Sequence, residues 1–296
     1  MMFESKYPFI FILFTFTCIL FVGCEDRNIS PFEEKTGTYS MYGALKIDDS
    51  PNYIRVKNLN TPFLSKKAKS LDAKVTFEDL QTGSRNILED TVVNFSGHYT
   101  HNFIVKQKMD PASTYKVTVD GKAAEEPITS TITTPDITQI SLSDPDSVAC
   151  TQQITFNYKN VPDPESIRMK IGFKYKGQYK WSEVGKVDQV KHRENTDEMY
   201  LTLSTRQLLV EVFPPPEIGN RNVNPLYLNP TVSCNQLDSK TVRVKYLHFG
   251  PDWEHANGGY GPENPLQSPD IDGGLGFVGA YREGTFTYDF YTSAGN

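Results

Sequence analysis

Cysteine, tryptophan and histidine are scarce in this chain, at four, two and five of its 296 residues. So few cysteines exclude a scaffold in which bridges take the place of a core. The histidines, His98, His101, His192, His248 and His255, spell no H-E-x-x-H, and the spacing of His248 and His255 in "HFGPDWEH" fits no recognised ligand set, although Asp252 and Glu254 lie between them. His101 falls on the apolar side of an alternating run and reads as a hydrogen-bonded core residue. Excess positive charge is missing too. Thirty basic against 36 acidic residues leave a net charge of -6, which argues against nucleic acid as a partner. No G-x-S-x-G elbow occurs, so a serine hydrolase gains no support.

Other motifs are imitated without being completed. "DGGLGFVGAY" spaces Gly274, Gly276, Gly279 and Ala280 as G-x-G-x-x-G-A, the spelling of a dinucleotide loop. Such a loop joins a strand to a helix whose amides hold the pyrophosphate, with an acid about 20 residues further on. Only 17 residues follow Gly279, and "AYREGTFTYDFY" reads as a turn and a strand. A tight β connection, where backbones approach closely, is the expectation. "SPDIDGG", with Asp270 and Asp272, begins like a calcium loop but lacks the later ligands and the closing Glu. No cofactor, metal or catalytic residue is assigned.

What is abundant points to strands: 18 Phe, 16 Tyr, 20 Gly and 19 Pro suit short strands joined by turns. From Thr36 to Pro135 the period is two, with Tyr39, Met41, Leu45 and Ile47, then Ile54 and Val56, then Leu71, Ala73, Val75 and Phe77, then His101, Phe103 and Val105 on the apolar side. About seven such strands predict a β-sandwich of immunoglobulin or fibronectin type III kind. "DPASTYKVTV" resembles the fibronectin segment in which a tyrosine, here Tyr115, opens a late strand and bonds back to the preceding corner. The fold class is therefore all-β, with a sandwich over 37–135 and a second β-rich domain over 136–296. In the second domain Met169, Ile171, Phe173 and Tyr175 alternate with Arg168, Lys170, Gly172 and Lys174, one face apolar and the other basic. "STRQLLVEVF", Ser204–Phe213, is the one helical stretch, stopped by Pro214, Pro215 and Pro216.

One long apolar run exists, "YPFIFILFTFTCILFV" at Tyr7–Val22. As a helix it covers about 24 Å, short of the roughly 30 Å hydrocarbon core, and so reads as a signal segment. "FVGC" resembles a bacterial lipobox, which predicts cleavage after residue 23, lipidation of Cys24 and membrane attachment through that lipid. Residues 24–36, polar and acidic, read as a tether. With Cys18 in the signal and Cys24 lipidated, Cys150 and Cys234 are left as a pair in an oxidising compartment. A bridge between them would stabilise the second domain by roughly 4 to 5 kcal/mol.

For binding, Tyr179, Trp181, Trp253 and Tyr260 fall in expected loops or strand ends, where aromatics stack on sugars or anchor a partner; the alternative is that both tryptophans plug the second core.

The lipobox, "YSMYGALKIDDSPNYIRV", "LDAKVTFEDLQTG", "MDPASTYKVTV", "TTP" and "GGLGFVGAYREG" together resemble an uncharacterised family of Bacteroidota outer-membrane lipoproteins. The resemblance implies a place on the outer membrane, at its periplasmic face or the cell surface. It also implies an accessory role beside a TonB-dependent receptor in uptake or surface assembly. A non-enzymatic component that binds a glycan, a nutrient or an outer-membrane partner is the leading expectation. The alternative is a surface polysaccharide hydrolase using loop carboxylates.

Overall fold

The computed structural model describes residues 38–61, 70–95, 97–143, 147–149, 153–159, 161, 166–184, 190–192, 198–215, 230–253 and 271–291. The expected signal segment and tether lie outside them. Eight strands form the first half: β1 (Tyr39–Lys46), β2 (Asn52–Asn58), β3 (Ala73–Asp79), β4 (Arg85–Ile87), β5 (Glu89–Phe95), β6 (His98–Val105), β7 (Thr114–Gly121) and β8 (Ile128–Thr133). There follow β9 (Gln139–Leu142), β10 (Ser147–Ala149), β11 (Gln153–Lys159), β12 (Ile167–Tyr175), β13 (Gln178–Val184), β14 (Val190–His192) and β15 (Met199–Ser204). The helix α1 (Thr205–Val212), β16 (Thr241–Phe249), β17 (Ile271–Asp272) and β18 (Leu275–Tyr291) complete the order. The fold is all-β with one helix among the described residues.

Alternation decides which side chains are buried. Tyr39, Met41, Leu45, Ile47, Ile54, Val56, Val75, Phe77, Phe103 and Val105 all enter the first core, joined by Tyr115, Val117 and Val119 of β7. Tyr115 stacks on Phe77 at 5.2 Å, and its hydroxyl accepts the Asp110 amide at 2.7 Å. That is the tyrosine corner expected of an immunoglobulin or fibronectin type III sandwich. His101 stays on the inward side at the sandwich margin, with Nδ1 2.7 Å from Asp90 Oδ2. Helix α1 buries Leu208 and Leu209 against the second core. Ser204 stands at its N-cap in an extended conformation, without a side-chain capping bond.

The largest departure from the sequence reading is β18. "DGGLGFVGAY" and "TFTYDFY" were expected as a tight connection followed by a separate strand, yet Leu275–Tyr291 is one continuous strand of 17 residues. Its first part pairs in parallel with β1, from Ser40↔Leu275 to Lys46↔Tyr281. Its second part pairs antiparallel with β16, from Phe249↔Tyr281 to Thr241↔Asp289. A single sheet of order β13-β12-β16-β18-β1-β2-β6-β5 results, and β10 also pairs with β18. A five-stranded sheet, β17-β8-β7-β3-β4, faces its β1 half; a four-stranded sheet, β14-β15-β11-β9, contributes to the second core.

Two hydrophobic cores form. The second is built from residues 154–290; the first is built from residues 39–132 together with Ile271, Val278 and Ala280. Pro135 therefore lies between the two cores in sequence, but the segment from Ile271 to Ala280 returns to the first. Gly37–Asn296 forms one compact unit.

Between the inward residues that β18 gives each core, it presents Arg282 and Gly284 instead of hydrocarbon. Arg282 Nε meets Asp48 Oδ2 at 3.1 Å, and the Tyr246 ring covers Gly284. His248 is buried in the same seam, hydrogen-bonded through Nδ1 to Thr138 Oγ1. Burial pushes the His248 pKa down to about 4, outweighing the Asp136 backbone and charge that favour the cation. Because the unfolded chain protonates near the ordinary value of 6.5 and the folded chain only near 4, stability falls with pH across that window and levels off below it. The expected loss is about 3 kcal/mol. Urea titrations at several pH values check it, with a flatter profile for His248→Gln; equal slopes for both proteins would show that the burial is not felt.

Candidate functional site: an aromatic and cationic sheet face

The solvent face of the long sheet follows from its register. Across β13, β12, β16 and β18, Trp181 stands opposite Gly172, Gly172 opposite Arg243, and Arg243 opposite Thr287. One step along, Glu183, Lys170, Lys245 and Thr285 are in line, and a further step places Arg168, Leu247 and Glu283 together. The alternation of "RMKIGFK" thus puts Met169, Ile171 and Phe173 into the second core and leaves Arg168, Lys170 and Lys174 on the other side.

Trp181 lies across Gly172: a Cβ there would stand 2.8 Å from both Cε3 and Cζ3 of the indole. This is why glycine occupies the middle of a strand, where it otherwise weakens pairing. Tyr179 stacks beside Trp181 at 5.7 Å. Arg243 lies over the Tyr179 ring at 4.5 Å and Lys245 over the Trp181 ring at 5.0 Å. Lys170 is bound to Glu183 at 2.7 Å, and this bond, with help from Arg168, holds the Glu183 carboxyl below its usual range. Among the described residues Arg168, Arg243 and Lys245 have no ion pair. An aromatic ring attracts a cation without cancelling its charge, so Arg243 and Lys245 are held in place while their charge stays available.

At the far end of β16 the same face carries a second aromatic group. Trp253 stacks on Phe249 at 4.7 Å, meets Phe277 edge-on at 4.9 Å and lies 5.9 Å from Tyr281. Its seat is again a glycine, since a Cβ on Gly279 would fall 2.9 Å from the Trp253 Cε3. Arg168 connects the groups, 6.0 Å above the Phe249 ring. The turn holding Trp253 is fixed by bonds from the Gly250 amide to the Ala280 carbonyl at 2.8 Å and from the Thr133 amide to Asp252 at 2.5 Å. Asp252 and His248 are thereby committed to structure, and among the described residues no cluster of three His, Cys, Asp or Glu could hold a metal.

A separate cleft of about 370 Å³ opens in the first half, lined by Phe77, Leu88, Ile104 and Lys106 among others. Its only carboxylate is Glu89, bound to Lys106 at 2.7 Å, so the cleft offers no facing acid and base.

Comparison with family models and with curated proteins finds no match. Among solved structures, the chain is similar to the titin A168–A169 fragment, at 12% identity over 86% of this chain and 97% of that one, with a TM-score of 0.20. The FN1–FN3 domains of chicken CNTN1 match at 11% identity over 86% and 66%, also with a TM-score of 0.20. Superpositions this loose place no residue.

Of the residues singled out in the sequence, Trp181 and Trp253 are half-buried on one sheet face, and neither enters a core. Trp181 sits within β13 rather than in a loop. Cys234 opens a short 3-10 turn, Cys234–Gln236, that packs against the second core. Cys24, Cys150, Tyr260 and His255 lie outside the described residues. Arg243 and Lys245 were missed as site residues. Their alternation within "TVRVKY" placed them on an outer face, but only the register brings them to the Trp181 ring. Among the described residues no helix is long and apolar enough to cross a membrane.

Proposed function

We propose that this chain is a lipid-anchored, non-enzymatic surface protein, attached through Cys24 to the outer membrane, that binds a glycan, a nutrient or an outer-membrane partner through the Trp181–Trp253 face. The observation that carries this reading is the pair of indoles seated on glycines outside both cores. A buried tryptophan stabilises a core, whereas one laid on a solvent face presents a ring edge or face to a ligand. The lipobox and the family resemblance support the address, and a TonB-dependent receptor is the partner that the resemblance suggests. The Cys150–Cys234 bridge belongs to the same proposal; the disulfide-bonded state of Cys234 supports it.

Full chain extracted in mild detergent is expected to bind at least one surface glycan or outer-membrane protein in a defined panel. Trp181→Ala is expected to weaken that binding about tenfold. Non-reduced peptides of the same preparation should contain Cys150 joined to Cys234. Equal binding by wild type and Trp181→Ala across the panel would remove the face from the function.

A further inference from the structure

We infer that the occupant of this face is an acidic polysaccharide, a chain of sugars bearing carboxylates or sulfates, laid along β16 between the Trp181 and Trp253 groups. The inference rests on the binding role proposed above and adds the chemistry of the ligand.

Charge complementarity carries it. The protein as a whole is acidic, at -6, yet Arg168, Lys170 and Lys174 of β12 and Arg243 and Lys245 of β16 are gathered on two neighbouring strands. Glu183 offsets only Lys170, while Glu283 is taken by Lys46 at 2.9 Å and Asp289 accepts the Thr241 hydroxyl at 2.7 Å. Lys170 and Lys245 occupy directly opposed positions of an antiparallel pair. Like charges so placed destabilise a sheet, and an anionic ligand turns that cost into attraction. Arg243 and Lys245 are ordered on aromatic rings before any ligand arrives, which lowers the entropy lost when an anion binds.

Shape decides among polyanions. The row from Arg243 to Phe249 runs roughly 20 Å along β16, enough for several sugar residues. Thr285 and Thr287 line it with hydroxyls that can bond to sugar hydroxyls. The aromatic rings at both ends offer apolar surface to sugar rings. A membrane surface would call for a broad apolar patch, but between the two aromatic groups the outward positions of β12 and β16 are Arg168, Lys170, Gly172, Arg243, Lys245 and Leu247, with Leu247 the one large apolar side chain among them. The four of these cations without an ion pair among the described residues, Arg168, Lys174, Arg243 and Lys245, also fall short of the phosphate contacts that hold a nucleic acid.

The test titrates the full chain in detergent with polygalacturonate and with its fully methyl-esterified form, which keeps the backbone and removes the charge. Anionic phosphatidylglycerol vesicles and a single-stranded oligonucleotide serve as competitors. Polygalacturonate is expected to bind at least about tenfold more tightly than the ester, and to weaken as salt rises from about 50 to about 500 mM. The double variant Arg243→Gln with Lys245→Gln should lose that preference, with an unfolding curve like that of wild type. Glu183→Gln, which frees Lys170, should tighten binding about two- to threefold. Equal affinity for both polymers, with loss of both on Trp181→Ala, would overturn the acidic ligand and leave the binding role standing. Failure of either polymer to bind, with no effect of Trp181→Ala on any partner, would overturn both. Stronger binding of vesicles or oligonucleotide than of polygalacturonate would also overturn the proposal.

Discussion

A chain stopped before Ile271 is expected to lose cooperative folding in both halves, not in the second alone. The missing segment removes Ile271, Val278 and Ala280 from the first core and Tyr288 and Phe290 from the second, all of them buried. It also removes the strand between β1 and β16, leaving the backbone edges of both without partners. At about 1.5 to 3 kcal/mol for each large buried side chain, the loss approaches the whole stability of an ordinary domain. Far-UV circular dichroism with urea titration checks this. A sharp transition retained by the shortened chain, with a midpoint near that of the full protein, would show that the first sandwich closes without β18.

Gly276→Ala is the point substitution expected to cost most, about 4 kcal/mol or a drop in Tm of roughly 10 °C. Its φ of +115° lies in a region that only glycine occupies at low cost, and a Cβ would run into the Met41 carbonyl oxygen of the paired strand. Two controls separate these causes. Gly83 has a φ of +71° with nothing within 4 Å, so Gly83→Ala bears torsional strain alone, about 1 to 2 kcal/mol. Gly43 has no positive φ, and its nearest neighbour would be the Val278 side chain at 3.2 Å, so Gly43→Ala should be milder still. Thermal melts that rank Gly276→Ala alongside Gly43→Ala would refute the close approach of β18 to β1.

The first sandwich was readable because its information is local. A strand with one wet and one dry face writes its orientation into every second residue, and "YKVTV" does so around Tyr115. The same rule separated the basic from the apolar face of β12. "GGLGFVGAY" misled for a physical reason. Glycine is a poor strand former when its neighbours are solvent, but here Met41 backbone, Ile128 and Trp253 fill the space above Gly276, Gly274 and Gly279. Those fillers come from β1, β8 and the turn after β16; only Phe277, which also crowds Gly279, lies near the glycines in sequence. Trp181 and Trp253 were likewise recognisable as binding candidates but not as partners on one face, because their alignment depends on the β12–β16–β18 register.

The parallel pairing of Ser40 with Leu275 also sets an order of events. Synthesis delivers β1 long before β18, so both cores wait for β18 before either can close. Contacts this distant in sequence make folding slow. Until the last strand arrives, the earlier part of the chain is a set of hairpins with an unfilled place in its sheet. A polypeptide in that condition stays open to unfolding along its whole earlier length, because its final shape is withheld until β18 is in place.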